Sequence, residues 1–415
     1  MLVEVMDFKL NVFDKLMIIN VGSSAFYQKG VFNMNSYIYL DHAATSPMNG
    51  QVIEAMTTAM QHVFGNASSI HGAGREARKY LDDAREVLAN SIGAHAGEII
   101  FTSGGTEADN TAILGTVYAR ANEGKHIITT QVEHHAVLHT CEKLEREGFD
   151  VTYLPVDQMG CVAVEDVQKA LREDTILVTI MYGNNEVGTI QPIAEIGELL
   201  RNHQATFHTD AVQAYGLEAI DVDQLQVDLL SVSAHKINGP KGIGFLYQKT
   251  GTPLASYALG GAQEKKRRAG TENIPAIIGF AKAVQVANKL REEKRSLYNH
   301  FKQIMLDVFS QEKLAFHVNG NEEQSLPHIL NISFDGMEVE SFLVNLDMAG
   351  ICVSSGSACT AGSIDPSHVL VAMFGQGAEE LRNSIRFSFG QDLTEKDIRS
   401  AAEKTAQIVK KLAKK

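Results

Sequence analysis

The sequence predicts an α/β fold: a large domain built on a mostly parallel sheet, followed by a smaller α+β domain. Three observations predict it. Short β-branched runs alternate with helical patterns through the middle of the chain, which implies parallel strands covered on both faces. A long helical pattern then runs from Ala276 to His300 and opens a region of mixed strands and helices. Finally, 415 residues is too long for one small module, so two packed domains are the natural arrangement.

The elements follow in order. Glu98–Thr102 reads as a strand, and Thr106–Arg120 as a helix opened by the capping pattern of Thr106 and Asp109. His126–Thr130 is a strand, and the helix after His135 is stopped by Gly148. Val151–Leu154 and Ile176–Met181 are strands, and Pro192 stands near the first turn of the next helix. Thr206–Thr209, Leu229–Ser233 and Ile243–Tyr247 complete the large domain, placed at residues 37–290. Its first residues, about 37–48, are expected to pack on the small domain at 291–415, which carries strands at Ile329–Ser333 and Ile385–Phe389 and a Lys-rich last helix.

Residues 1–36 stand apart. They contain no Arg, carry Glu4 and Asp7 where a targeting segment would be basic, and offer only the short apolar run Leu16–Ile19. They read as a disordered or non-native extension, with Met34 as the expected start. Apolar content of 44% and charged content of 21% fit an ordinary globular protein. No apolar run is long enough to span a bilayer. A net charge of −13 argues against a broad nucleic-acid surface. Cys141, Cys161, Cys352 and Cys359 form no C-x-x-C pair. A reducing, cytoplasmic compartment and no metal site are therefore expected.

Polar and glycine-rich clusters follow directly on successive strands: Ser103–Thr106, Glu133–His135, Gly183–Glu186, Thr209–Gln213 and Ser233–Lys236. In an open parallel sheet the carboxyl ends of the strands form the ligand crevice, so these clusters outline one polar site. The Ser103–Thr106 turn opens a helix and suits a phosphate, yet it has neither the Walker nor the dinucleotide spacing. Pyridoxal phosphate needs a phosphate cradle, a lysine, a carboxylate for the ring nitrogen and a flat group against the ring. Thr106, Lys236, Asp210 and His134 match that list. The competing readings are a surface lysine, a turn-capping aspartate and a loop histidine; for Gln213 and Asn184 they are turn-forming amides. Cys359 lies in the small-residue run Ser354–Ser363, a setting for a reactive rather than a structural thiol. Cys141, Cys161 and Cys352 read as core cysteines. Arg386, in an alternating strand, is either solvated or a bidentate partner for a carboxylate.

From Tyr37 onward the chain resembles the cysteine desulfurases of the NifS/IscS group, in the class V aminotransferase superfamily. The motifs are YLDHAATSP, FTSGGTEADN, EHHAV, NNEVG, TDAVQ, SAHK, RAGTEN, SSGSACTAGS and IRFSFG. The resemblance implies the fold-type-I architecture of pyridoxal-phosphate transferases and conversion of L-cysteine to L-alanine. It implies that Lys236 carries the cofactor, His134 stacks on its ring and Asp210 pairs with the ring nitrogen. Gln213 and Asn184 would contact the ring oxygen and the substrate. Gly105, Thr106, Ser233 and His235 would hold the phosphate, joined by Thr271 from the partner subunit of a homodimer. Arg386 would bind the substrate carboxylate, and Cys359 would take the sulfur as a persulfide; it could also transiently ligate an iron–sulfur cluster. The small-residue loop is similar to the long-loop class. Ala234 departs from relatives that carry Gly there, and the chain stops at Lys415 without the tail that scaffold-binding members carry. The sequence is similar to bacillus-type desulfurases, which implies a tRNA 2-thiouridylase as acceptor, ahead of an iron–sulfur scaffold. A PLP aminotransferase or β-lyase would share Lys236 and Asp210 without needing Cys359. A sulfur carrier would need only Cys359.

Overall fold

The computed structural model describes residues 37–355 and 366–413. Twelve strands are present among them: β1 (Ile38–Tyr39), β2 (Ile99–Thr102), β3 (His126–Thr130), β4 (Asp150–Leu154), β5 (Thr175–Thr179), β6 (Thr206–Asp210), β7 (Leu229–Ser233), β8 (Gly244–Gln248), β9 (Phe316–Asn319), β10 (Ile329–Phe334), β11 (Ile351–Cys352) and β12 (Ser384–Ser388). Seven of them form one sheet in the order β2-β8-β7-β6-β5-β3-β4. Only β8 runs against its neighbours; the other pairings are parallel. β2, β3, β5, β6 and β7 are buried along their whole length, as strands covered on both faces must be.

The helices on these faces are amphipathic for a visible reason. In Gly72–Asn90 the buried residues Ala77, Leu81, Ala84 and Leu88 recur at intervals of three and four and form one stripe. Helix Gly105–Arg120 is buried nearly all round, because it is enclosed between the sheet and helix His135–Arg146. Its start differs from the expected one. Gly104 caps it without any side-chain bond, and Asp109 is buried beneath the helix instead of serving a capping box. The leading N–H groups are thereby left for a ligand.

β10 pairs antiparallel with β12 on one side and β9 on the other. Their inner face and helix Glu395–Leu412 enclose a second core around Phe301, Phe309, Phe334, Phe342 and Phe387. The two cores meet on helix Ile274–Gln311, whose Ile274–Ala287 part faces the first and Tyr298–Phe309 part the second. This helix runs past the expected end at His300, because Phe301, Ile304, Met305, Val308 and Phe309 continue its buried stripe. β1 lies parallel to β11, Asp41 bridges to Ser388, and Ala43 N–H donates to Ser388 Oγ. The chain thus enters the large sheet's crevice from the second core. β9 and β11 carried no periodicity long enough to be read from sequence.

Candidate active site

The chain leaves β3 for β4 on one side and returns at β5 on the other, so β3 and β5 flank a topological switch point. A cavity of about 410 Å³ opens there. It is lined by Gly105, Thr106, His134, Asp210, Gln213, Ser233, His235, Lys236 and Arg386, with Asn185, Glu186, Ser354 and His368 among the others. An adjoining recess of about 350 Å³ shares Gly105, Thr106, Ser233 and His235 and adds Ser103, Gly104 and Lys241.

Lys236 is placed by a short 3₁₀ turn, Ala234–Ile237, directly after β7. Ser46 locks this turn: its hydroxyl donates to His235 O at 2.6 Å and accepts from Asn238 N–H at 2.9 Å. The Lys236 Nζ donates to the carbonyls of Ala43 and Ala44, at 2.5 and 2.9 Å. Burial pushes its pKa down to about 8, and the Arg386 charge adds to the shift. A lysine poised there is partly neutral near pH 8 and can act as a nucleophilic amine.

Asp210 ends β6. Its Oδ1 accepts from Val212 N–H at 2.9 Å, and burial raises its carboxyl to about 6 against the opposing pull of that bond and of Lys236. His134 caps helix His135–Arg146 by accepting from Ala136 N–H through Nδ1, at 3.1 Å. The neutral ring must therefore carry its proton on Nε2. Burial, with Lys236 second, holds His134 down to about 4, so the ring is neutral at physiological pH. Gln213 donates through Nε2 to Ala43 O at 2.9 Å, and its Oε1 lies 3.1 Å from His328 Nε2.

The adjoining recess lies at the amino end of helix Gly105–Arg120. Gly104 has φ +150°, in a region that disfavours side chains. A Cβ on Gly105 would come within 2.8 Å of Val212 Cγ2. Backbone N–H groups, Thr106, Ser233, His235 and Lys241 are therefore gathered where an anion would be stabilised by the helix end.

One expected contact is corrected. Asn184 does not line the cavity: it is fully buried, its amide donates to Val132 O, and its Oδ1 accepts from Glu186 and Val187 N–H. It builds the turn, and its neighbour Asn185 faces the site. In consecutive loop amides the sequence gives no sign of which side chain turns inward. Thr271 is exposed and is not among the cavity-lining residues. Its segment is tied down by Arg268, which bonds Glu107 at 2.7 Å, and by the Arg85–Glu264 ion pair at 2.5 Å.

Arg386 is 5% exposed and projects from β12 into the cavity. Its Nη2 pairs with Asp41 at 2.8 Å, its Nη1 donates to Asn185 O at 2.8 Å, and its buried Nε–H has no partner among the described residues. Cys359 lies outside the described residues. Ser354 and His368, on either side of it in the chain, both line the cavity: Ser354 exchanges backbone bonds with Arg386, and His368 Nε2 donates to Glu133 O at 2.8 Å. Sequence reasoning missed His368 because nothing distinguishes a lone histidine opening a short helix. Of the described thiols, Cys141 is fully buried and Cys161 and Cys352 partly so. Burial pushes all of them up, which makes them poor thiolates.

A lysine, a buried carboxylate, a neutral imidazole and an anion recess at the strand ends define a site for a phosphorylated carbonyl cofactor. The comparisons agree. Residues 38–400 match the family described as aminotransferase class-V. A Bacillus subtilis (strain 168) protein named for the cysteine desulfurase IscS is 60% identical over 375 residues, 90% of this chain and 99% of that one. The cysteine desulfurase IscS of Methanosarcina thermophila is 46% identical over 385 residues, covering 92% and 95%. A solved NifS-like protein superposes with a TM-score of 0.85 at 34% identity, covering 91% and 100%. The structure titled SspA in complex with cysteine gives 0.73 at 36% identity, covering 85% and 98%. The chain belongs to the class V aminotransferase family and, within it, to the cysteine desulfurases. It is a pyridoxal-phosphate-dependent enzyme.

Proposed function

We propose that this chain takes sulfur from L-cysteine onto Cys359 and passes it to a tRNA-thiolating enzyme. The observation that supports this most is that the cavity unites Lys236, Asp210, His134 and Arg386 while the chain enters and leaves the Cys359 segment at its rim, through Ser354 and His368.

Lys236 would bind the cofactor covalently, Asp210 would hold a proton at the ring nitrogen, and His134 would lie against the ring. Gly105, Thr106, Ser233 and His235 would receive the phosphate, with Gln213 at the ring oxygen. When bound, the cofactor withdraws electrons from the substrate's Cα and so weakens its Cβ–S bond. Arg386 orients the substrate: an amino-acid carboxylate would compete with Asp41 for the guanidinium and use the unpartnered Nε–H. The Cys359 thiolate attacks the substrate sulfur. An S–S bond forms as the Cβ–S bond breaks, and that electron pair stays with the carbon skeleton, which takes up a proton and leaves as alanine. The His134 Nε2–H and the Lys236 amine are the groups placed to move protons at the substrate.

The chain would act as a homodimer. Phe64, Ile70 and Leu259 are 86, 91 and 85% exposed, and Ile53, Met60 and Tyr257 add to the uncovered apolar surface. The exposed Thr271 would then reach the neighbour's phosphate. The likeness to bacillus-type relatives supports the tRNA-thiolating acceptor. ³⁵S-cysteine tests the reading. Label should appear on Cys359 and move to a tRNA-thiolating enzyme faster than to an iron–sulfur scaffold. Cys359→Ala should bind cysteine, change its spectrum and yield no alanine. Near wild-type alanine from that variant would sink the mechanism and favour the β-lyase.

A further inference from the structure

The sheet face beneath helix Gly105–Arg120 is apolar at Ile100, Leu246, Leu229 and Leu177, yet beside Asp210 it turns polar. Strand register explains the grouping. Thr179 pairs with His208 and Asp210 with Ser231, so side chains two residues apart share this face. His208 Nδ1 lies 2.8 Å from Thr179 Oγ1, and its Nε2 lies 2.9 Å from Ser231 Oγ. From the helix, Asp109 enters this group. The Ser231 hydroxyl bears on its carboxyl and favours the ionised form, while its Oδ1 stands 3.7 Å from His208 Nε2 without a hydrogen-bond partner among the described residues. Asp109 is 1% exposed, yet it lines the same cavity as Asp210.

Charge decides how this group must be protonated. Burial holds His208 down to about 3, so it is neutral and offers Asp109 no counter-charge. Burial raises the Asp109 carboxyl well above the ordinary range, and the carboxyls facing it, Asp210 and Glu133, oppose its ionisation whenever they carry charge. Glu133 is itself raised to about 8 by burial, with Thr130 and Met181 N–H bonded to it. The nearby cation, Lys236, acts on Asp210. An ionised Asp109 would be a buried anion with an unsatisfied oxygen beside a second anion, an arrangement that costs several kcal/mol. The hydrogen bonds allow the alternative. If His208 donates from Nδ1 to Thr179, its Nε2 accepts from the Ser231 hydroxyl, whose proton is then withheld from Asp109.

We propose that Asp109 is a positioning residue for the reaction, held as the neutral acid because it is buried beside Asp210 while the Ser231 proton is directed to His208. Asp210 is thereby the only ionised member of this carboxylate pair beneath the cofactor ring. The inference rests on the reading that Asp210 pairs with the ring nitrogen. It extends that reading: two carboxylates in a dry site share one negative charge, and the Ser231–His208 pair selects which of them carries it.

Infrared spectroscopy of the holoenzyme at pH 7.5 tests it. A carboxylic-acid carbonyl band should shift when the protein is grown with ¹³C-carboxyl aspartate, and Asp109→Asn should remove it. Glu133→Gln should leave that band, because the neutral Glu133 answers to labelled glutamate. The wild-type labelling needs no variant, so a misfolded Asp109→Asn leaves the test intact. No aspartate band in the wild type, or one that survives in folded Asp109→Asn, overturns the proposal. ¹⁵N labelling of the ring nitrogen separates the two readings. Protonation lost in Asp210→Asn but kept in Asp109→Asn is expected. Protonation kept in Asp210→Asn removes the underlying assignment, and loss in Asp109→Asn alone makes Asp109 the ionised partner and overturns the inference.

Discussion

Two buried polar clusters, one at the three-stranded sheet and one at the seven-stranded sheet, look alike in composition and differ in purpose. In the small sheet, Asn319 Nδ2 lies within 2.8–3.0 Å of Asn331 Oδ1, Ser333 Oγ and Ser384 Oγ; Ser333 and Ser384 bond each other, and Asn331 donates to Glu186 O. None of these groups titrates in the physiological range. Against the large sheet, Thr179, His208, Ser231, Asp109 and Asp210 include two carboxyl groups and an imidazole, and one carboxyl oxygen has no partner among the described residues. A closed neutral network fixes a fold, because every donor has its acceptor. An open titratable network costs stability, and the structure keeps it where a charge must be controlled.

The largest effect that would separate the clusters is Asp210→Asn. Loss of the anion should lower kcat/KM for L-cysteine by about 10²–10³-fold, with the melting temperature held or raised. A loss under tenfold would break the contrast. Asn319→Leu should act the other way. It strands Asn331, Ser333 and Ser384, and urea unfolding should show a cost of about 2–4 kcal/mol with activity per folded molecule unchanged. A catalytic defect in a fully stable Asn319→Leu protein would mean the small-sheet cluster also serves the reaction.

The smallest effect is a pH dependence. With the Lys236 pKa lowered to about 8, its reactive neutral form is gained as pH rises through that value. Between pH 7 and pH 9 the neutral fraction climbs from roughly one-tenth to nine-tenths, so cofactor capture by the apoenzyme should quicken about tenfold. A lysine at its ordinary value would gain about a hundredfold over that interval, from a far lower start. Stopped-flow absorbance across this range distinguishes them, and the steeper slope would remove burial as the cause.

Much of the site was legible because its residues occupy strand ends. Lys236 follows β7, Asp210 ends β6, and His134 opens a helix after β3, so the pattern of apolar runs is enough to group them. Asn184 and Asn185 show where that logic stops. Adjacent amides in one turn are equivalent in sequence, and only the hydrogen bonds of the first to Val132 O and Val187 N–H set it inward and leave the second to the cavity. Asp109 looked like a capping residue because T-x-x-D is a local signal, while its burial depends on β6 and β7, far along the chain at Thr206–Asp210 and Leu229–Ser233.

By itself the sequence determined the seven principal strands, several of the helices between them and the chemical kinds of group at their ends, since periodicity and side-chain chemistry are local properties. Tertiary structure alone decided that β8 runs antiparallel, that β1 pairs with β11, and that Ser354 and His368 meet the cavity lined by Lys236. It also decided the electrostatics. The same aspartate side chain is a turn former in water and, at Asp109, a buried acid beside a second carboxylate. Desolvation and neighbouring charge exist only once distant strands have closed around it.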